Sequence, residues 1–193
     1  MNITIVSDTI CPWCFIGKRR LESALKERPD IHPNFLWKPF ELNPKMPKTG
    51  LDRKTYLRAK FGSDEEAENI YQTIENAGIK EHILFDFKNI ARVPNTEASH
   101  SLIAWASNFN LQHSVVEIIF KWYFEKCMDI GNIDTLLDIA ELAGLNREQA
   151  LLELTNDEKT QKTSREVAQA NKLGITGVPC FIFDSKYILS GAH

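Results

Sequence analysis

Two cysteines separated by two residues, Cys11-Pro12-Trp13-Cys14, follow a short β-branched run near the start of the chain. Proline suits the first turn of a helix, because its missing N–H would have no partner there anyway. A helix is therefore expected to begin at Pro12. The Cys11 sulfur then lies at or just before that turn, where unpaired backbone N–H groups and the positive end of the helix dipole favour thiolate over thiol. A thiolate attacks a disulfide, and a second cysteine resolves the resulting mixed disulfide. Cys14, one turn inside and on the packed face, is placed for that second role.

The same spacing is half of a four-ligand zinc site. A second close pair is missing, and Cys127, Cys180, His32, His82, His100, His113 and His193 form no matching cluster in the sequence. No metal is expected, and a strand leading into a helix favours redox chemistry. Val178-Pro179 is the second signal, lying where a helical pattern gives way to a strand. A cis bond there would expose the preceding backbone edge to an extended substrate. Pro12, Trp13, Val178 and Pro179 are thus candidate substrate contacts, with Trp13 expected to be partly exposed. Cys180 reads first as a small buried hydrophobe, with a third thiol near the site as the alternative. Cys127 reads as a core residue.

The elements that must position these residues follow from periodicity. Residues 2–7 read as a strand, and a helix from around Pro12 is ended by Arg28-Pro29-Asp30, with Cys14, Gly17, Leu21, Ala24 and Leu25 on one face. Phe35 to Phe40 suggests a second strand. Residues 43–50 are a proline-rich loop, and residues 51–156 read as helical throughout. Within that segment Ala98, Leu102, Trp105, Ala106 and Phe109 form one stripe, Val115, Val116, Ile119, Trp122 and Tyr123 another, and Ile133, Leu136, Leu137, Ala140 and Ala143 a third. A last helix is expected over Asp157–Leu173. A hairpin follows, turning at Asp184-Ser185. Removing the helical block leaves β-α-β and then α-β-β, an α/β chain with a mixed sheet and helices on its faces.

The chain has 193 residues, 43% hydrophobic and 25% charged, with a formal net charge of -3. That suits an ordinary soluble domain and argues against a dedicated nucleic-acid binder. The basic triplet Lys18-Arg19-Arg20 is read as an exposed helix face. No stretch approaches the roughly 18 apolar residues of a membrane span, so no membrane partner is expected. The first residues lack the pattern of a secretory leader, and the cysteine spacing is not that of a secreted framework. A cytoplasmic location is expected.

Several segments resemble the DsbA-like thioredoxin superfamily, and within it the FrnE-like branch. They are Ser7-Asp8 through Cys11-Pro12-Trp13-Cys14 to Leu21, Trp37-Lys38-Pro39-Phe40-Glu41-Leu42-Asn43-Pro44, Asn95-Thr96 with Ala98 and His100, Gly174 through Val178-Pro179, and Ser190-Gly191-Ala192. The resemblance implies a thioredoxin-like fold, residues 1–50 and 157–193, interrupted by a large all-helical insertion, residues 51–156. It implies disulfide exchange or isomerisation on a disulfide-containing protein or on glutathione, which would be a co-substrate with no tightly bound cofactor. The architecture is also similar to kappa-class glutathione transferase and 2-hydroxychromene-2-carboxylate isomerase, which carry serine in place of Cys11 and lack the second thiol. On that reading Asn95, Thr96 and His100 line a small-molecule site; the other reading makes them a helix cap and a polar helix face. The family usually runs on past Ser190-Gly191-Ala192 into a further helix. An apolar face left open there is expected to favour a partner or a homodimer. Asp184-Ser185 replaces a more usual Asp-Gly turn and is expected to matter little.

Overall fold

The computed structural model describes residues 1–156 and 174–193. Strand β1 (Asn2–Ser7) lies in the interior of a four-stranded sheet, with Ile3, Ile5 and Val6 buried. It pairs in parallel with β2 (Asn34–Pro39), from Asn2 opposite Asn34 to Ser7 opposite Pro39. Parallel neighbours need a crossover, and helix α1 (Pro12–Lys26) lies in that connection. Strands β5 (Cys180–Phe183) and β6 (Tyr187–Ser190) are described below, after the helices that precede them in the chain.

Helices α2 (Arg53–Phe61), α3 (Asp64–Lys80), α4 (Glu97–Ala106), α5 (Gln112–Phe124), α6 (Ile133–Leu142) and α7 (Arg147–Leu154) follow. Asp52, Ser63, Asn132 and Asn146 cap four of them, each side chain accepting an N–H of the first turn. The segment is not helical throughout, however. Strand β3 (Leu51–Asp52) pairs antiparallel with β4 (Arg92–Val93), tying the start of α2 to the approach to α4. Gly50 permits this at a φ of +68°, where a Cβ would stand 2.7 Å from the Val93 carbonyl oxygen. The stripe on α4 also stops early: Phe109 sits in a 3₁₀ turn, Ser107–Phe109, and is exposed. The helix expected over Asp157–Leu173 lies outside the described residues.

Strand β5 pairs antiparallel with β1, and β6 with β5, giving the order β2-β1-β5-β6. The connecting Asp184 and Ser185 have φ of +48° and +57°, as a tight primed hairpin turn requires. Asp184 is held there by Asn2, whose N–H donates to its carboxylate at 2.7 Å and whose carbonyl accepts its N–H at 2.8 Å. Tyr187 and Ile188 on the outer strand are exposed.

Sheet and helices share a main apolar core, with Val6, Phe40 and Cys180 forming a smaller cluster apart from it. Phe15 of α1 is fully buried and stacks on Phe120 of α5 at 5.2 Å between ring centroids, with Phe124 beside it and Phe85 edge-on. The buried face of α1 runs Cys14, Phe15, Ile16, Gly17 and Lys18, while Ala24 is exposed. The basic triplet is therefore not a solvated face. Lys18 is only 1% exposed and donates to Glu22 at 2.5 Å and to Glu117 of α5 at 2.6 Å. Arg19 joins the same two carboxylates, and Arg20 bonds Glu81 and the Ala192 carbonyl. With α1 packed against α5, these long side chains lie in the interface and are paired there, as buried charges must be.

Candidate active site

Cys11 is the N-cap residue of α1, extended at φ −91° and ψ 111°, with Pro12 at the first helical position. Its carbonyl accepts the Cys14 N–H at 3.0 Å, and its own N–H donates to the Asp8 carbonyl at 3.1 Å. The Cys11 side chain makes no capping bond to the helix. Its thiol instead points at the Val178 carbonyl, 3.8 Å away, and the Val178-Pro179 bond is cis. Residues from opposite ends of the chain are thus brought together at the start of α1.

Cys14 is buried at 2% exposure. Burial pushes its thiol well above the ordinary value, and the neighbouring Cys11 adds to the rise, while hydrogen bonds from Ser7 and the Asp8 backbone pull it back in part. All four cysteines are free thiols.

Cys11, Pro12, Trp13 and Val178 line one cleft of about 270 Å³ between the sheet end and the helices. Trp13 is half-buried there. Pro179 packs behind, against Gly17 of α1. Asn95, Thr96 and His100 do not line the cleft. Asn95 donates to the Met46 carbonyl and accepts the Glu97 N–H, both at 2.9 Å. Thr96 is the N-cap of α4 without a side-chain capping bond. His100 is not on a polar face: it is 3% exposed, with Nε2 3.0 Å from the Phe40 carbonyl and 3.4 Å from Asp8.

Cys180 is buried in β5 beside Val6 and Phe40, whereas the next residue, Phe181, points into the main core with Cys11 and Cys14. Alternation along the strand puts the two on opposite faces, so Cys180 is a buried hydrophobe. Cys127 departs from its reading as a core residue. It lies beyond the end of α5 at φ +56°, half-buried, with its thiol on the Asp86 carbonyl at 3.3 Å.

Sequence reasoning missed two parts of the site. The first is Asp8, fully buried at the end of β1, whose carboxylate accepts the Leu42 N–H at 2.7 Å and faces His100. It joins the loop before Cys11 to the chain after β2. Its signal was its place in the matched Ser7-Asp8 segment. The second is the far wall of the cleft, formed by Arg53, Tyr56 and Lys60 of α2 and Tyr71 of α3. No periodicity marks those residues as facing Cys11. Among the described residues, no group of three His, Cys, Asp or Glu side chains could hold a metal ion, and no helix is long and apolar enough to cross a membrane.

Known proteins resemble this chain in sequence or fold. The YwbO protein of Bacillus subtilis (strain 168), itself uncharacterised, is 29% identical over 195 residues, covering all of this chain and 91% of that protein. The crystal structure of the probable DsbA oxidoreductase SCO1869 from Streptomyces coelicolor superposes with a TM-score of 0.90 at 27% identity, covering all of this chain and 84% of that one. At 14% identity, where the likeness shows the fold alone, the cytosolic disulfide reductase DsbM from Pseudomonas aeruginosa with GSH superposes at 0.67, covering 98% of this chain and 90% of that one. The model of the DSBA-like thioredoxin domain matches residues 2–193. With the cysteine pair at the start of α1, the cis-proline behind it and helices packed on a mixed thioredoxin-like sheet, the chain belongs to the DSBA-like thioredoxin domain family.

Proposed function

We propose that this protein is a dithiol–disulfide oxidoreductase in which Cys11 attacks and Cys14 resolves. The observation that carries the reading is the asymmetry of the pair. Both cysteines are buried, but Cys11 caps a helix N-terminus and lines the cleft, while Cys14, one turn later, does not line it and is held as a thiol by burial. A nucleophile needs access to substrate. A resolving cysteine needs protection until the mixed disulfide forms beside it. Trp13 and the Val178 carbonyl edge hold the substrate, which is a disulfide of a protein or of glutathione. The reaction belongs in a reducing cytoplasm, a reading supported by four thiols with no structural disulfide among them.

The test is a titration of the Cys11/Cys14 pair against a glutathione buffer, with Cys180→Ser in parallel. A two-electron couple is expected. A potential near or above roughly -200 mV makes the protein an oxidant or isomerase, and one near roughly -270 mV a reductant. If the pair does not titrate as a two-electron couple, the reading fails, and a glutathione-dependent transferase or isomerase on the same fold takes its place. That second enzyme would keep its turnover with Cys14 replaced.

A further inference from the structure

Arg20 closes the basic triplet of α1, and its partners lie far along the chain. Its Nη1 donates to the Ala192 carbonyl at 2.6 Å, and its Nε donates to Glu81, the residue that ends α3, at 2.8 Å. Both side chains of the ion pair are partly buried. Gly17 lies on the same face of α1, three residues earlier. A Cβ at Gly17 would stand 3.4 Å from the Ala192 Cβ and 3.0 Å from the Pro179 Cγ. The turn after β6 therefore rests on α1 at two points, one a close contact and one a charge-assisted hydrogen bond.

That turn reaches the redox site through one backbone bond. Gly191 donates its N–H to the Pro179 carbonyl at 2.8 Å, at a φ of +90° that suits glycine. Proline has no N–H, so its carbonyl is the one backbone group by which Pro179 can be tied. The carbonyl of the preceding residue, Val178, is the group that faces the Cys11 thiol at 3.8 Å. Burial does not fix the far side of this arrangement, because Tyr187, Ile188 and Leu189 of the outer strand β6 are all exposed. What holds residues 191 and 192 in place is their grip on α1. The forked guanidinium suits that task, since one side chain reaches the Ala192 carbonyl and Glu81 together.

Building on the oxidoreductase reading, we infer that Arg20 is a positioning residue of the redox site. By holding the Ala192 carbonyl against α1, it keeps the Gly191 N–H on Pro179 and so sets the Val178 carbonyl opposite Cys11. It acts through that turn and takes no part in electron transfer. The consequence is selective. A peptide that pairs its backbone with the Val178 edge depends on Arg20, whereas a small disulfide that needs only the Cys11 sulfur does not. In either case the Cys11 thiolate attacks one substrate sulfur, and the other leaves as a thiolate. Cys14 then attacks the Cys11 sulfur, and the bound sulfur leaves as a thiolate that takes up a proton. The two protein thiols become a disulfide, and the same two electrons reduce the substrate disulfide to two thiols.

The experiment follows release of thionitrobenzoate by the reduced protein from two mixed disulfides, one with a short extended peptide and one with 2-mercaptoethanol. The parent is expected to react with the peptide roughly tenfold faster or more, inside the roughly hundredfold that a misplacement of about 1 Å can cost. Arg20→Gln should bring that ratio close to one and leave the rate with the small disulfide unchanged. Arg20→Lys should keep part of the ratio, because an ammonium can still donate to the Ala192 carbonyl. Glu81→Gln should keep the parent ratio, since the amide oxygen still accepts from Nε. The Gly191 amide should exchange its hydrogen faster in both Arg20 variants, with the amides of β1 unchanged. A parent ratio near one overturns the inference. So do two rates that fall together in Arg20→Gln, or a Glu81→Gln ratio as low as that of Arg20→Gln. Should Arg20→Gln fail to fold, Arg20→Lys decides: a parent-like ratio with parent-like Gly191 exchange overturns the inference. If neither disulfide converts Cys11 and Cys14 into their disulfide, the oxidoreductase reading itself has failed, which is a different result from a lost preference for the peptide.

Discussion

Gly17 faces Pro179 so closely that a Cβ at position 17 would stand 3.0 Å from the proline Cγ and 3.1 Å from Phe181 Cζ. The contact seats α1, and with it both cysteines, against β5 and the Val178-Pro179 segment that leads into it. A methyl group there must displace the ring of Pro179, just before β5, or the buried Phe181 within it. Overpacking costs about 1–3 kcal/mol, and the better helix propensity of alanine returns about 1 kcal/mol. Gly17→Ala is therefore expected to lower stability by about 1 kcal/mol and to slow disulfide exchange by shifting α1 away from Val178. Urea unfolding and exchange with a model disulfide measure both. A variant as stable and as fast as the parent would mean that Pro179 and Phe181 yield freely.

The two thiols should separate on alkylation. Burial, and then the neighbouring Cys11, push Cys14 well above its ordinary value of 9.0. At pH 8, iodoacetamide is expected to modify Cys11 while Cys14 stays unmodified in the native protein. Replacing Cys11 by serine removes the second cause and leaves burial, so Cys14 should become somewhat more reactive yet remain slow. A thiol raised in the folded state stabilises fully below its unfolded value. That contribution is lost as pH rises through the folded value, so stability should fall less steeply at alkaline pH in Cys14→Ala than in the parent. Peptide mass spectrometry reads the labelling, and equal modification of both cysteines at pH 8 would refute the asymmetry.

The redox pair, the Pro12 helix start, β1 and the final hairpin were legible because their signals are local. Pro12 acts through its own missing N–H, and β1 through β-branched residues that alternate or run buried. Lys18 and Arg53 were not legible. A charged residue on a helix reads as solvated, and only packing contradicts that. The partner that buries Lys18 is Glu117, 99 residues away, and Arg53 is enclosed by Tyr71 and Phe87. The pairing of Leu51 and Asp52 with Arg92 and Val93 is two residues long, too short for a period to register.

The Lys18–Glu117 pair makes an acid-resistant clasp between α1 and α5. Burial raises Glu117, but Arg19 and Lys18 hold it down to about 2. Glu22 is lowered too, burial being outweighed by His113, Lys18 and Arg19. A carboxylate lowered in the folded state contributes fully above its unfolded value of 4.5, and that contribution disappears as pH falls through about 2. Glu117→Gln should cost about 1–3 kcal/mol at neutral pH. That is below the usual price of breaking a fully buried pair, because Glu22 still accepts from Lys18 and the carboxylates are partly exposed. Urea midpoints at pH 7 and pH 3 check it. A variant whose deficit does not shrink towards pH 2 would show that packing, not charge, holds the interface.

Cys180 adjoins Pro179 in sequence but lies across the sheet from Phe181, among Val6 and Phe40. Burial raises its thiol, with a hydrogen bond from Ser190 acting the other way. A serine at 180 would place a hydroxyl in that apolar cluster, where Ser190 can still bond it, so a cost of about 1–2 kcal/mol is expected. The potential of the Cys11/Cys14 pair and its rate of exchange with glutathione should be unchanged in Cys180→Ser, because the Cys180 thiol lies on the face of β5 opposite Phe181 and the redox cysteines. Redox titration of the variant beside the parent measures this. A shift in potential of more than about 30 mV, a tenfold change in the equilibrium of a two-electron couple, would place a third thiol in the exchange and overturn the assignment of Cys180 to packing alone.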